Sequence, residues 1–311
     1  MENAKRRGVP GEVSLLLAAV IWGGAFVAQS LGGDSLGPLS FNASRSLIGA
    51  LALVPVILWN DRKQGTGRPK GRERRLLWLG GALCGICLTL AVNLQQVAIA
   101  WVDASGRANV GKIGFLTTTY IVLVPILSLF LKKRVGANVY AGILLALAGM
   151  YLLCVKEAGF ALGGGDVYAL LAALMFALQI IVIDIFAPKV DNIRLSAIQF
   201  LVCGVLSGAL ALGTEAQSAR AYWDAALPVL YTGVLSSGVG YTLQIVGQRR
   251  CRPQMASLLM STESVFSVVF GFLILHQKMT GRELIGCALM LAAVLLAQWK
   301  PRGERNANES V

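Results

Sequence analysis

The chain is divided into ten apolar runs, each about 20 residues long, by short polar breaks. A helix rises about 1.5 Å per residue, so about 20 apolar residues cross a hydrocarbon core that is about 30 Å thick. Only 14% of the residues are charged, against roughly 25% in an average globular domain. The sequence therefore predicts an all-α polytopic membrane protein with ten transmembrane helices. The predicted spans lie at roughly 13–32, 38–59, 76–100, 108–131, 137–155, 166–186, 193–213, 225–248, 254–275 and 281–299.

Lysine and arginine are concentrated in alternate breaks between the runs. Of the 28 basic residues, 21 fall on the side that holds both termini, and the break from Arg62 to Arg75 is the largest group. Basic residues stay on the cytoplasmic side of a membrane. We therefore expect a multi-pass protein of the cytoplasmic (inner) cell membrane, with a cytoplasmic segment over 1–12 and a cytoplasmic basic tail over 300–311. The net charge of +12 is then a topology signal, and its expected partners are anionic lipid headgroups rather than nucleic acid.

The two halves of the chain share a weak internal similarity. An offset of 154 residues aligns the first span with the sixth, and an offset of 144 aligns the fourth and fifth spans with the ninth and tenth. The pairs matched by the second offset include Thr117 with Ser261, Thr118 with Thr262, Thr119 with Glu263 and Gly142 with Gly286. The chain is thus predicted to hold two units, 13–155 and 156–299, of five spans each. Because five is an odd number, the second unit enters the membrane from the opposite face, which gives the inverted-topology repeat of alternating-access transporters.

Ionisable residues inside the predicted spans are the first candidates for function, because a charge at bilayer depth costs a few kcal/mol. Glu263 lies near the middle of the ninth span. It either binds a cationic group or carries a proton, or it is a protonated carboxyl that is bonded to a neighbouring Ser or Thr. Lys112 either pairs with Glu263 as a gate or extends to the outer headgroups. Arg45 in the second span is either a fixed structural charge or a substrate contact.

Polar and aromatic residues at mid-depth are the candidates for lining a substrate cavity. Amides in lipid are costly when they are left unpaired, so they must face protein or a wet cavity. Asn93 and Gln96 share a helical face that Gln95 does not share well. The candidates for substrate binding or coupling, besides Glu263, are Trp22, Asn93, Gln96, Thr118, Thr119, Gln179, Tyr241 and Gln244.

Cysteine and histidine do not form a recognisable metal or redox site in the sequence. Cys84 and Cys87 have C-x-x-C spacing, but inside a membrane helix they are expected to act as small packing residues. The only histidine is His276. We therefore predict no cofactor, no metal and no enzymatic activity.

Several short motifs are shared with one family of membrane proteins. They are Trp22-Gly23-Gly24-Ala25-Phe26, Arg45, Gly114-Phe115-Leu116-Thr117, Val124-Pro125, Gly240-Tyr241-Thr242-Leu243-Gln244, Thr262-Glu263-Ser264-Val265-Phe266 and Leu284-Ile285-Gly286. On these residues the chain, over roughly 12–299, resembles the EamA-type ten-helix members of the drug/metabolite transporter superfamily. The resemblance implies outward movement of amino acids, small metabolites or drug-like compounds across the cytoplasmic membrane.

The sequence favours a secondary transporter over two other classes. It contains no Walker A glycine loop, so the energy is expected to come from a gradient. A membrane-embedded enzyme would need a catalytic or metal-binding set that one histidine cannot supply. A channel or scaffold would not need an inverted repeat with a buried carboxylate. We therefore expect an exporter of small molecules that works by alternating access around a midplane cavity.

Overall fold

The computed structural model describes residues 10–33, 35–64, 69–100, 110–132, 135–155, 163–275 and 280–298. These residues form helices joined by short connections, and none of them lies in a strand. The α-helices are α1 (Gly11–Gly33), α2 (Pro38–Gln64), α3 (Gly71–Ala100), α4 (Val110–Thr118), α5 (Tyr120–Phe130), α6 (Ala137–Cys154), α7 (Gly164–Phe186), α8 (Asn192–Thr214), α9 (Ala219–Asp224), α10 (Ala226–Leu230), α11 (Tyr241–Gln248), α12 (Pro253–Met260), α13 (Glu263–Leu275) and α14 (Gly281–Gln298). A π-helix, Tyr231–Gly240, joins α10 to α11.

The helices account for the ten spans that the sequence predicts. Eight helical segments are long and apolar enough to cross a membrane, and two shorter apolar helices lie at Gly11–Ala25 and Ala137–Leu153. Many large apolar side chains point outward along these helices, such as Leu51 at 68% and Leu144 at 69% exposure. Such a surface suits a lipid solvent. The prediction of an all-α polytopic membrane protein is thus confirmed.

Three of the spans are not the continuous helices that apolar runs alone would give. The fourth span breaks at Thr119 between α4 and α5, and the ninth breaks at Ser261–Thr262 between α12 and α13. The eighth is wound as a π-helix through its middle. Apolar length predicts that a segment crosses the bilayer, but it contains no information about a local change in the hydrogen-bonding pattern.

The connection between the second and third spans is shorter than the predicted loop of residues 60–75. Helix α2 continues to Gln64 and α3 begins at Gly71. Asp61, in the extended end of α2, accepts a hydrogen bond of 2.7 Å from Arg194 of α8. Basic side chains at helix ends reach the headgroups, so a charged sequence can remain helical beyond the hydrocarbon core.

Helices α6 and α14, the last spans of the two units, pack with a local twofold relation. A Cβ added at Gly149 would lie 2.8 Å from the carbonyl oxygen of Gly286. A Cβ at Gly142 would lie 2.9 Å from the carbonyl oxygen of Ala293. The offset of 144 residues exchanges these two contacts. Small residues therefore let the two backbones approach closely at equivalent positions.

Helices α2 and α8, the second span of each unit, are joined at both ends. At one end Arg194 contacts Asp61. At the other end the Glu215 carboxylate accepts hydrogen bonds of 2.9 Å from the backbone N–H groups of Leu39 and Ser40. Glu215 thus caps the first turn of α2, where backbone donors have no partner within the helix. The ion pair at one end and the cap at the other hold α2 and α8 together as an antiparallel helix pair.

Candidate functional site

A cavity lies at the centre of the bundle and is bounded by both units. Its unfilled space, including the part that is open to solvent, amounts to about 630 Å³. Helices α1 to α5 contribute Trp22, Ala25, Gln29, Arg45, Val92, Gln95, Thr117 and Tyr120. The second unit contributes Phe176, Gln179, Ile180, Ser236, Tyr241, Gln244, Met260 and Glu263.

Glu263 reaches the cavity because the ninth span is interrupted just before it. The hydroxyls of Ser261 and Thr262 donate to the backbone carbonyls of Leu258 and Leu259, at 2.7 and 2.6 Å. Such bonds compete with the helical pattern and bend helices. Glu263 then opens α13, where a carboxylate interacts favourably with the helix dipole. No hydrogen bond or ion pair to its carboxylate is formed within the described part of the chain, so the group is available to a solute.

Arg45 is the basic counterpart of Glu263 in the same cavity. The residue is only 7% exposed, and its Nη1 donates to Gln29 Oε1 over 3.3 Å. Among the contacts of the described residues, no ion pair joins Arg45 to Glu263. The cavity therefore contains one acidic and one basic group that do not neutralise each other directly.

Three glutamines connect the cavity wall to the helices behind it. Gln244 Nε2 donates to Gln179 Oε1, and Gln179 Nε2 donates to Gln199 Oε1, each over 3.3 Å. Gln179 and Gln244 line the cavity, whereas Gln199 does not. Gln95 of α3 also lines the cavity. The cavity thus presents amides from both units.

Aromatic rings close the side of the cavity that faces the π-helix. The ring centroids of Trp22 and Tyr241 are 4.7 Å apart, and those of Phe200 and Tyr241 are 5.0 Å apart. Trp22 Nε1 donates to the backbone carbonyl of Ser236, within the π-helix, over 3.4 Å. Because Tyr241 directly follows the π-helix, that segment sets the rotation of Tyr241 and of Gln244 toward the cavity.

The structure separates the candidates that the sequence groups together. Glu263, Trp22, Arg45, Gln179, Tyr241 and Gln244 line the cavity, whereas Asn93, Gln96, Thr118 and Thr119 do not. Asn93 instead bridges helices: it accepts from Asn42 Nδ2 at 3.0 Å and donates to Ser207 Oγ at 2.8 Å. Thr118 and Thr119 donate their hydroxyls to the backbone of α4. The side chain of Lys112 lies outside the described residues.

Some cavity residues carry a signal that sequence reasoning could have used. Gln29 is an amide inside an apolar run, like Gln179 and Gln244, and it lines the cavity beside Arg45. Gln95 lines the cavity while its neighbour Gln96 does not. The helical face of α3 is visible in the sequence, but the direction in which that face points depends on packing against α7 and α8.

Comparisons with known proteins place the chain in a transporter family. The sequence profile of the EamA-like transporter family matches twice, over residues 9–155 and 163–299. A protein of Archaeoglobus fulgidus named "uncharacterized transporter" is 28% identical over 95% of this chain and 87% of its own length. The transporter YoaV of Bacillus subtilis, also named as uncharacterized, is 24% identical over 91% of this chain and 95% of its own length.

More distant similarities agree with this placement. A WAT1-related chloroplastic protein of Arabidopsis thaliana is 24% identical over 91% of this chain and 67% of its own length. A solved crystal structure superposes with a TM-score of 0.77 at 19% identity, covering 93% of this chain and 96% of the other chain; at that identity the likeness concerns the fold. The twofold match of the family profile across nearly all of the sequence, together with the ten spans around one central cavity, shows that this chain belongs to the EamA-like transporter family and is a multi-pass membrane transporter.

Proposed function

We propose that the protein is a secondary exporter of small organic solutes that carry both a positive and a negative group. The observation that carries this proposal is the presence of Glu263 and Arg45 in one cavity without an ion pair between them. A solute with an ammonium and a carboxylate group can neutralise both charges at once. A solute with only one charge leaves the other protein charge buried and unpaired, which is costly.

Alternating access is the proposed mechanism of movement. The cavity wall takes residues from helices of both units, so a rocking motion of one unit against the other changes the side on which the cavity opens. Contacts such as the Arg194–Asp61 bridge at one end of the α2–α8 pair and the Glu215 cap at the other keep that pair together as one body during the motion. The energy comes from a solute or ion gradient.

The orientation of the protein is part of the proposal. The concentration of basic residues in alternate connections supports an orientation in an inner membrane with both termini in the cytoplasm, where anionic lipid headgroups would contact the basic segments. Export then means that Glu263 and Arg45 receive the solute from the cytoplasmic side. A passive channel is the main competing function, and saturable exchange distinguishes the two.

The test is counterflow of radiolabelled L-leucine in proteoliposomes that contain the purified protein. Unlabelled competitors from one chemical series vary only the charge: L-leucine carries both groups, L-leucine methyl ester carries only the ammonium, and N-acetyl-L-leucine carries only the carboxylate. We expect L-leucine to compete about tenfold better than either derivative, which corresponds to about 1.4 kcal/mol. Equal competition by the three, or flux that does not saturate, would contradict the proposal. Measurement in inside-out vesicles establishes the direction.

A further inference from the structure

The three glutamines beside the cavity form a chain whose two ends are unsatisfied. Gln244 donates to Gln179, which donates to Gln199, and none of the three residues is more than 2% exposed. Gln244 Oε1 at one end and Gln199 Nε2 at the other have no hydrogen-bond partner in the described part of the chain. Buried polar atoms are nearly always paired. An unpaired acceptor on a cavity-lining side chain therefore indicates that a molecule inside the cavity supplies the donor.

The direction of the hydrogen bonds among the three glutamines determines which amide atom of Gln244 remains free to bind a solute. An amide has one acceptor oxygen and one donor NH2 group. Because the Gln244 NH2 group is engaged by Gln179, the oxygen is the free end. The Gln179 oxygen stays in place to accept that bond only while its own NH2 group is held by Gln199. Gln199 does not line the cavity, but its amide oxygen accepts the hydrogen bond from Gln179, which does.

We propose, building on the transport function above, that Gln199 is a positioning residue for solute recognition. It holds Gln179, and through Gln179 it holds Gln244, so that Gln244 Oε1 is free to accept a hydrogen bond from an N–H or O–H group of the solute. The solute must then carry a donor, such as an ammonium or a hydroxyl group, at the place where it meets Gln244. Loss of the acceptor at position 199 lets both cavity amides rotate away from that orientation.

Two substitutions of Gln199 distinguish this role from a packing role. Gln199→Leu removes the acceptor and keeps a similar volume, whereas Gln199→Glu keeps an acceptor oxygen at the same distance from the backbone. A buried carboxylate is more costly than a buried leucine, so a residue that only packs should tolerate leucine better than glutamate. A positioning residue should show the opposite order, because only glutamate preserves the bond from Gln179 Nε2.

The matched control is Gln248→Leu. Gln248 is 2% exposed, lies one turn beyond Gln244 on α11 and does not line the cavity. Its amide has no hydrogen-bond partner among the residues that the structure describes. Gln248→Leu therefore removes a buried glutamine from the helix that carries Gln244, while the hydrogen bonds from Gln244 to Gln179 and from Gln179 to Gln199 remain.

Concentration dependence of L-leucine counterflow is measured for the three variants and the wild type. We expect Gln199→Leu to raise KM about tenfold with kcat within about twofold of the wild type, since one fixed hydrogen bond in a closed site is lost. Gln199→Glu and Gln248→Leu should keep KM within about threefold of the wild-type value. Equal KM values for Gln199→Leu and Gln199→Glu, or a larger KM for Gln199→Glu, would overturn the proposal.

A second measurement tests the hydrogen bonds among the three glutamines in the absence of any solute. Nuclear magnetic resonance of protein labelled with ¹⁵N at the glutamine side chains shows each NH2 group, and single Gln→Leu variants assign the signals of Gln179 and Gln244. We expect Gln199→Leu to move both signals and Gln199→Glu to move them much less. Unchanged signals in Gln199→Leu would overturn the positioning role. If the wild type exchanges none of the leucine series, the proposed function fails, and these spectra still decide whether Gln199 holds the two cavity amides.

Discussion

The fourth and ninth spans occupy equivalent places in the two units but present different chemistry to the cavity. Both are broken near the same point of the repeat, since α5 begins after Thr119 and α13 begins at Glu263, 144 residues later. Thr119 does not line the cavity, whereas Glu263 does. The interruption of the helix is therefore a property of both units, and the carboxylate in the cavity is a property of one.

The interface between α6 and α14 shows the opposite behaviour. There the repeat relates Gly149 to Ala293 and Gly286 to Gly142, so the close approach of Gly286 to Gly149 corresponds to the close approach of Gly142 to Ala293. The symmetric part of the molecule is thus the packing between the units, and the asymmetric part is the wall of the cavity. This division suits a transporter, since two states of similar energy need a symmetric frame while binding of one solute needs specific groups.

Removal of the charge at position 263 should have the largest effect. We expect Glu263→Gln to reduce kcat/KM for L-leucine counterflow about 100-fold, because a buried ammonium group loses its charged partner while the shape of the site is kept. The same substitution should weaken competition by L-leucine methyl ester and leave competition by N-acetyl-L-leucine unchanged. The competitor series in proteoliposomes measures all three values.

Transfer of the carboxylate to the other unit tests whether the symmetry extends to the site. The double variant Thr119→Glu/Glu263→Gln should not recover transport, because the side chain of Thr119 does not line the cavity. Thr119→Val is the control for loss of the threonine hydroxyl and should stay within about threefold of the wild type. Recovery by the double variant would mean that the two breaks are functionally equivalent.

The features that the sequence predicts are those that depend on composition along the chain. The all-α membrane fold follows from the apolar length of the runs, and this prediction is confirmed. The inverted repeat follows from the offset between the units and stays a prediction. The helix breaks could not be predicted in this way, because Ser261 and Thr262 bond to their own backbone within a segment whose mean hydropathy still indicates one span. Serine and threonine pairs in a span are the signal that would have indicated them.

The cavity itself is only partly visible in the sequence. A polar residue at mid-depth must be paired, but its partner can be another helix or a solute, and the sequence does not distinguish them. Asn93 and Gln95 are two residues apart on α3, yet Asn93 bonds to Ser207 while Gln95 lines the cavity. The rotation of α3 against its neighbours decides between these outcomes, and that rotation is set by contacts such as the one between Gly85 and Val202.

Substitution at the symmetric interface should have a smaller effect that is equal in the two units. A Cβ at Gly286 would lie 2.7 Å from the carbonyl oxygen of Gly149, and a Cβ at the equivalent Gly142 would lie 2.9 Å from that of Ala293. We expect Gly286→Ala and Gly142→Ala each to lower the free energy of unfolding by about 1–3 kcal/mol, because backbone atoms cannot yield as a side chain can. Thermal unfolding in detergent measures the shift.

Gly281→Ala is the matched control for this interface. Gly281 begins the same helix as Gly286, and a Cβ added there would meet no atom within 4 Å. We expect no loss of stability for this variant, and a small gain is consistent with the higher helix propensity of alanine. A loss of stability at Gly286 that is several times the loss at Gly142 would contradict the equivalence of the two units at this interface.

The smallest effect is expected from the hydroxyls at the helix breaks, and it sharpens the comparison between the fourth and ninth spans. Thr118 and Thr262 correspond in the repeat, and they donate to the carbonyls of Gly114 and Leu259 at 2.8 and 2.6 Å. We expect Thr118→Val and Thr262→Val to lower stability by a similar amount, about 0.5–1 kcal/mol, since each loses one hydrogen bond and keeps its shape.

Transport should differ, because only Thr262 precedes a cavity carboxylate. Thr262→Val should reduce L-leucine counterflow about threefold through displacement of Glu263, whereas Thr118→Val should leave it near the wild-type rate. Equal transport by the two variants would show that the break in the ninth span does not position Glu263.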